Sequence, residues 1–467
     1  MYDLAINLQY DSTKCLYEQI YEHIKGEIKS GKLLSGERLP STRSLAEYLQ
    51  ISRSTVAFAY EQLLSEGYIE SKPYKGYFVC KLEELPENST IHKEKYHQKS
   101  DPVKRKEEEY LFSPNGLDMS VFPYGVWKKI TRNILNESNT ELFSSGEPQG
   151  DYILRETISR YLHSARGVNC TPKQIIVGAG NDYLLLLLEK LLGRNAHIAM
   201  ENATYMRAYR IFRSFGYHIK TVQTDEYGMQ VDDLQKMKVT AAYVMPSHQY
   251  PTGITMPIGR RMELLKWAAN EDCYIIEDDY DSEFRYRGKP IPSLQGADTN
   301  GKVIYMGTFS KAIAPAIRVS YMVLPFPLLK RYEEECYFYS STVSRIDQRI
   351  LNEFINDGYF ERYLNKTRKI YREKHDILLQ ELKPFSEKFI IVGEHAGLHL
   401  LLQCKMGDDS EEELIEKAAA LGVGVYGIRD CVIDNQYKMP PTIILGYGGM
   451  KKEEIQEGIK KLKQAWL

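Results

Sequence analysis

Paired cysteine chemistry is absent from this sequence. The seven cysteines (Cys15, Cys80, Cys170, Cys273, Cys336, Cys404 and Cys431) are scattered, odd in number and form no C-x-x-C pair. A disulfide framework and a cysteine zinc site are therefore not expected, no metal is assigned, and a reducing compartment is the natural setting. No apolar run is long enough to cross a bilayer. The opening Met1-Tyr2-Asp3-Leu4 lacks the basic-then-apolar pattern of a signal peptide, so a cytoplasmic location is expected. An excess of either charge is missing too. A net charge of −2 gives no overall attraction to nucleic acid, so any DNA binding has to come from a local patch. What is present is 43% hydrophobic and 27% charged residues, ordinary for a soluble protein. At 467 residues the chain is too long for one core, and two or more domains are expected.

Residues 1–80 read as three helices and a hairpin. Leu16, Ile20, Ile24 and Ile28 recur every four positions, the apolar stripe of a helix that ends near Gly31. Pro40 blocks helix before it, and Ser41 is a good N-cap for a short helix that buries Leu45, Ala46 and Leu49. A tight turn at Gln50-Ile51 leads to a second cap, Ser52. The third helix is marked by Val56, Ala59, Tyr60, Leu63 and Leu64 and stopped by Gly67. Tyr68-Ile69-Glu70 and Tyr77-Phe78-Val79 then flank a hairpin tip, Lys72-Pro73-Tyr74-Lys75-Gly76. Together these describe an α+β winged helix-turn-helix. In that architecture Arg53, Ser54 and Thr55 open the helix that enters the major groove. Arg43, on the preceding helix, and Lys75-Gly76, in the wing, add contacts. A small helical interaction domain is the other reading, but the positive residues fall where the winged architecture meets a duplex.

Leu39-Pro40-Ser41-Thr42-Arg43, Leu45-Ala46, Ser52-Arg53-Ser54-Thr55-Val56 and Leu63-Leu64-Ser65-Glu66-Gly67-Tyr68 resemble the GntR-type DNA-binding domain. The resemblance covers roughly residues 12–80 and implies a regulator that binds double-stranded operator DNA as a dimer. Residues 81–109 then lose apolar periodicity; Glu and Lys dominate, and Pro86 and Pro102 interrupt any helix. This is a charged linker. Its reach would let the small domain pack on a neighbouring subunit, in a domain-swapped homodimer, or it is a mere spacer.

From residue 110 to 467 strand-like and helix-like runs alternate: Ile175-Ile176-Val177, His197 to Met200, Ala241 to Met245, Tyr274-Ile275-Ile276 and Val303 to Met306 are the strands. Alternation of this kind gives an α/β domain with a mostly parallel central sheet, and functional residues then belong at strand C-terminal ends. Gly178-Ala179-Gly180-Asn181 joins a strand to a helix start, a cradle where backbone N–H groups can approach phosphate. Gly307-Thr308-Phe309-Ser310-Lys311 sets one lysine among hydroxyls, with Pro315 and Arg318 close behind. A lysine amine can form a Schiff base, and hydroxyls with a guanidinium can hold a phosphate. Glu277-Asp278-Asp279-Tyr280 places carboxylates at a buried strand end, which needs a partner; a protonated pyridine nitrogen is such a partner. The ordered set is what pyridoxal 5'-phosphate requires.

The order and spacing resemble the fold-type I aminotransferases over nearly all of residues 110–467, with a small C-terminal subdomain. The resemblance implies that Lys311 carries the cofactor and Asp278 pairs with its pyridine nitrogen. Tyr280 would hydrogen-bond the ring hydroxyl and Tyr205 stack on the ring. Ala179, Gly180, Asn181, Thr308, Ser310 and Arg318 would hold the phosphate. Behind a GntR-type domain, Pro246-Ser247-His248-Gln249 and Glu277 to Phe284 look like the MocR/GabR group of regulators. Three departures from the aminotransferase pattern bear on activity. Tyr250 stands where an asparagine usually precedes Pro-x-Gly. Ala316 follows Pro315 in place of glycine. No arginine for a substrate carboxylate is present in Thr442 to Tyr447. Arg207 and Arg429 are the candidates to meet an effector carboxylate instead. The resemblance thus implies a regulator that senses an amine or amino acid by transimination. An aminotransferase with an accessory DNA-binding domain, and a DNA-binding protein whose large domain is only a scaffold, are the competing readings.

Overall fold

A computed structural model describes residues 6–10, 12, 14–81, 108–286, 291–405, 409–434 and 439–467. The chain divides into two compact units, Met1–Val103 and Lys104–Leu467. Most of the expected linker, residues 82–107, lies outside the described residues.

The first unit holds helices α1 (Leu16–Lys29), α2 (Thr42–Leu49) and α3 (Arg53–Ser65) and an antiparallel hairpin of β1 (Ile69–Lys72) and β2 (Gly76–Val79). Both expected caps form: the Ser41 and Ser52 hydroxyls accept the N–H groups of Ser44 (3.1 Å) and Thr55 (3.2 Å). Each cap contributes about 1 kcal/mol. Gln50 turns the chain in the left-handed region (φ 55°) between α2 and α3. Ile20, Ile24, Leu45, Val56, Tyr60 and Leu63 close the core beneath Ile69 and Val79 of the hairpin. The Tyr60 hydroxyl donates to the Pro40 carbonyl (2.9 Å), which ties α3 to the entry of α2. The hydrophobic pattern overstates two positions: Leu49 and Leu64 are half-buried, while Thr42 is buried.

In the second unit seven strands form one sheet. Its order is Ile175–Gly178, Ser320–Val323, Val303–Thr308, Tyr274–Asp279, Ala241–Val244, His197–Glu201, His218–Val222. Ser320–Val323 runs antiparallel to both neighbours, and the remaining neighbouring pairs are parallel. Ile198, Met200, Tyr243, Ile276, Ile304 and Met322 face one layer of helices, and Ala199, Val244, Ile275 and Val303 face the other. A smaller antiparallel sheet of Phe389–Val392, His399–Cys404, Thr442–Gly446 and Tyr426–Gly427 packs against the helices Tyr359–Glu381, Glu411–Ala420 and Lys452–Trp466.

One boundary differs from the sequence reading in a way that matters. The strand expected over Tyr274 to Ile276 continues through Asp279, so the acidic residues sit inside it and not beyond it. Strand side chains alternate between faces, which gives three adjacent carboxylates different surroundings. Glu277 accepts the backbone N–H groups of Leu294 (2.7 Å) and Gln295 (2.8 Å). Asp279 takes Arg166 (2.8 Å) and the Tyr305 hydroxyl (2.5 Å). Asp278, between them, faces the opposite way.

Candidate functional site

A cavity of about 210 Å³ opens at the C-terminal ends of the parallel strands. Gly180, Asn181, Tyr205, Arg207, Asp278, Tyr280, Thr308, Ser310, Lys311 and Arg318 all line it. Five separate segments thus deliver residues that were singled out one by one in the sequence.

The floor is Asp278. Its carboxyl accepts the Tyr243 hydroxyl at 2.5 Å and the Asn181 amide at 3.4 Å. Burial pushes its pKa up to about 6, against the lowering effect of the Tyr243 hydrogen bond. Across the cavity Lys311, on the short helix Phe309–Ala312, donates from Nζ to the Pro114 carbonyl (2.9 Å). Burial lowers its pKa from 10.5, which raises the fraction present as the nucleophilic neutral amine.

At one end of the cavity Gly180 (φ +89°) precedes the helix Asn181–Leu192, whose first turn presents unpaired N–H groups. A side chain on Gly180 would run into the Arg318 guanidinium. Arg318 holds its place from a left-handed backbone (φ +52°), a conformation that costs energy in a residue other than glycine. It donates to the Ala179 carbonyl (3.3 Å) and to Asp182 (3.1 Å). Arg207 also pairs with Asp182, so one carboxylate spans both guanidinium groups. Thr308 caps the lysine helix by accepting the Ser310 N–H (3.1 Å). The Ser310 hydroxyl and the Asn181 side-chain oxygen are buried without a hydrogen-bond partner among the described residues. A bare glycine cradle, an unpartnered hydroxyl and a poised arginine suit a phosphate. A buried carboxylate opposite a half-buried lysine suits a cationic ring that carries an aldehyde.

Two expected site residues lie elsewhere. Ala179 is absent from the cavity wall, and its N–H is committed to the Thr342 hydroxyl (3.0 Å). Arg429 is absent as well; its exposed guanidinium is held by Glu412 at 3.0 Å. Sequence reasoning missed Asp182, Tyr243, His399 and the Pro114 carbonyl. Asp182 carried a signal, since an acid directly after a phosphate-type turn is unexpected. Tyr243 sat within an apolar run, and nothing local marked His399 or Pro114.

On the first unit, Arg53 opens α3 with its Nε 3.4 Å from the Thr42 hydroxyl. The Ser54 and Thr55 hydroxyls each lie 2.8 Å from the Ser52 hydroxyl, so they also build the cap. Arg43 is exposed and pairs with Glu47 at 2.9 Å, one turn on. The turn between the strands carries Lys75 and a fully exposed Tyr74 (φ +62°), and Gly76 packs beside the Arg38 side chain. Arg38 was not singled out from the sequence.

Residues 16–79 match the model for bacterial regulatory proteins of the gntR family, and residues 116–462 match that for class I and II aminotransferases. The chain is 41% identical to YdeL, an uncharacterised HTH-type transcriptional regulator of Bacillus subtilis, over 97% of this chain and 96% of that protein. It is 30% identical to the probable rhizopine catabolism regulatory protein MocR of Rhizobium meliloti, over 98% and 95%. The chain belongs to the MocR/GabR family of HTH-type transcriptional regulators. The larger unit of this family member has the fold-type I transferase fold. It superposes on an archaeal alanine:glyoxylate aminotransferase with a TM-score of 0.68 and 27% identity, over 76% of this chain and 90% of that one. Among the described residues no helix is long and apolar enough to cross a membrane, and no cluster of potential ligands would hold a metal ion.

Proposed function

We propose that this MocR/GabR-type chain is a cytoplasmic regulator that binds operator DNA as a homodimer and reports on a small amine or amino acid through pyridoxal 5'-phosphate held in its larger unit. The observation that carries this reading is the half-buried Lys311 amine across the cavity from the buried Asp278 carboxyl, beside a phosphate-type cradle. Gly180, Asn181, Thr308, Ser310 and Arg318 would hold the phosphate, Asp278 the ring nitrogen, Tyr280 the ring hydroxyl and Tyr205 the ring face. When bound, the cofactor supplies an aldehyde that condenses reversibly with amines. The protein supplies a lysine kept partly neutral by burial, which an incoming amine can displace. Arg207, already in the wall, is placed for an effector carboxylate; Arg429 takes part only after leaving Glu412.

Regulation then needs different contacts in the lysine-bound and effector-bound states, because a ligand shifts an equilibrium only by its differential affinity. Arg53 and its neighbours would position the first unit on the duplex, with Lys75 in the wing. The missing C-terminal arginine and Ala316 speak against efficient transamination. The test is a visible spectrum of cofactor-loaded protein, followed over time against a panel of amines and amino acids. It is paired with fluorescence anisotropy on a duplex selected from a random-sequence library. A spectral shift that persists and alters the anisotropy supports a sensor. A shift that decays with release of a keto acid, with anisotropy unchanged, identifies an enzyme and defeats the proposal.

A further inference from the structure

His248 sits behind the cavity in a polar cluster that the phosphate and pyridine contacts do not use. Its Nδ1 lies 2.9 and 3.1 Å from the two oxygens of Asp281, and 3.0 Å from the Tyr280 hydroxyl oxygen. Both His248 and Asp281 are buried. One ring nitrogen offers either a proton or a lone pair. A bare Nδ1 would turn its lone pair onto a carboxylate, whereas a protonated Nδ1 donates to it. Nε2 is buried and has no partner among the described residues. Gly397 (φ +77°) closes on the ring carbon between the two nitrogens, where a Cβ would overlap it. A proton on Nε2 would therefore be a stranded buried donor, which is costly. Both arguments put the proton on Nδ1.

A histidine protonated at Nδ1 cannot accept the Tyr280 proton, although the two atoms are within hydrogen-bond distance. Tyr280 lines the cavity, and its hydroxyl hydrogen is divided between that space and the Asp281 carboxylate, which it also approaches. Burial first, and the Asp281 charge next, push the pKa of this hydroxyl well above its ordinary value, so it remains a donor. We infer that Asp281 and His248 are positioning residues: the carboxylate fixes the imidazole tautomer, and the imidazole in turn releases the Tyr280 proton to a phenolate oxygen of the ligand in the cavity. This inference rests on the cofactor assignment made above. The other groups near the pair do not offset it. His399, its ring 5.4 Å from that of His248, donates from Nε2 to the Pro251 carbonyl (2.9 Å), and burial lowers its pKa to about 4, so it is neutral. Tyr286 and Tyr447, which also feel Asp281, are kept protonated by burial. Asp278 and Tyr250 also face Tyr280 and raise its pKa further, and on Lys311 the Asp281 charge acts by favouring the protonated form.

That last effect makes the test one of sign. The readout is the pH midpoint of the visible band that protein loaded with pyridoxal 5'-phosphate gains from its lysine linkage. Donation from Tyr280 to the phenolate draws charge away from the imine nitrogen and lowers this midpoint. Asp281→Asn lets the imidazole accept the Tyr280 proton, so the midpoint should rise by about one pH unit, the worth of one hydrogen bond to a charged group. Loss of the Asp281 field, or of the Tyr280 bond to Asp281, would lower it. Tyr280→Phe should raise the midpoint likewise, and adding Asp281→Asn to that variant should raise it no further. A fall, no change, or an additive rise in the double variant overturns the inference while leaving the cofactor assignment intact. If the unmodified protein gains no lysine-dependent band, the proposed function fails and this inference with it. A check that needs no variant is the 15N spectrum of histidine-labelled protein: a proton on Nδ1 is expected for His248, and a bare Nδ1 overturns the inference.

Discussion

Asp278→Asn should make the cofactor-free protein more stable while weakening its hold on pyridoxal phosphate. Burial raises this carboxyl from 3.8 to about 6. Because the folded value lies above the unfolded one, folding favours the protonated form. The cost of ionisation is absent below about pH 4, grows between about pH 4 and 6, and is constant above that. A displacement of about two units is about 3 kcal/mol of destabilisation at neutral pH. The asparagine amide carries no charge, and its oxygen can keep the Tyr243 bond. Its nitrogen meets Asn181, whose unpartnered side-chain oxygen can turn in as acceptor. One amide hydrogen is left without a partner, at a cost of about 1 kcal/mol. The expected net gain is therefore about 2 kcal/mol at pH 7.5 and distinctly less at pH 5.

Urea unfolding followed by tryptophan fluorescence measures this, because Trp127, Trp267 and Trp466 all lie in the unit that carries Asp278. In the loaded protein the sign should reverse. The ring nitrogen loses its anionic partner, and cofactor affinity should fall at least about tenfold, or 1.4 kcal/mol. A cofactor-free variant less stable than the parent at pH 7.5 would refute the argument that Asp278 is an uncompensated buried charge waiting for a cation.

Three further outcomes follow from the geometry. Lys311→Ala should abolish the visible cofactor band and every response to amines, with DNA affinity unchanged; a surviving response in DNA-binding titrations would remove Lys311 from the signal. Arg53→Ala should weaken binding to the selected duplex by about 1–3 kcal/mol and leave cofactor uptake alone, and an unaltered anisotropy titration would reassign the recognition helix. Gly180→Ala forces a side chain into Arg318 and strains a backbone at φ +89°, so cofactor affinity by spectral titration should drop by roughly tenfold or more; parental affinity would show that the cradle lies elsewhere.

The parts of this molecule that were legible in the sequence are those governed by neighbours in the chain. Ser41 and Ser52 cap helices within three residues of themselves, and the four-residue recurrence of Leu16, Ile20, Ile24 and Ile28 needs only one helix to make sense. Lys311 and Asp278 stood out because each breaks a local rule, one as a lysine at a strand end among hydroxyls and the other as an acid at the end of a buried strand. What could not be read is what distant segments decide. The Lys311 amine rests on a carbonyl 197 positions away, and Tyr243 reaches Asp278 from a neighbouring strand. Ala179 looked like part of the phosphate cradle until Thr342, 163 positions on, was seen to take its N–H. The strands His218–Val222 and Ser320–Val323, each following a turn, went unread although they are as long as two strands that were read.

The same distinction separates recognition of this site from an account of its behaviour. A lysine, an acid and a glycine turn in order are enough to suggest a cofactor, but they are shared by catalysts and sensors alike. What differs is which charges are already committed. Here the one cavity arginine suited to a carboxylate is tied to Asp182, the same acid that holds the arginine of the phosphate cradle. A phosphate in the cradle would compete with that shared carboxylate for the Arg318 guanidinium. A change at Arg318 would therefore be felt at Arg207 through one side chain in the cavity wall.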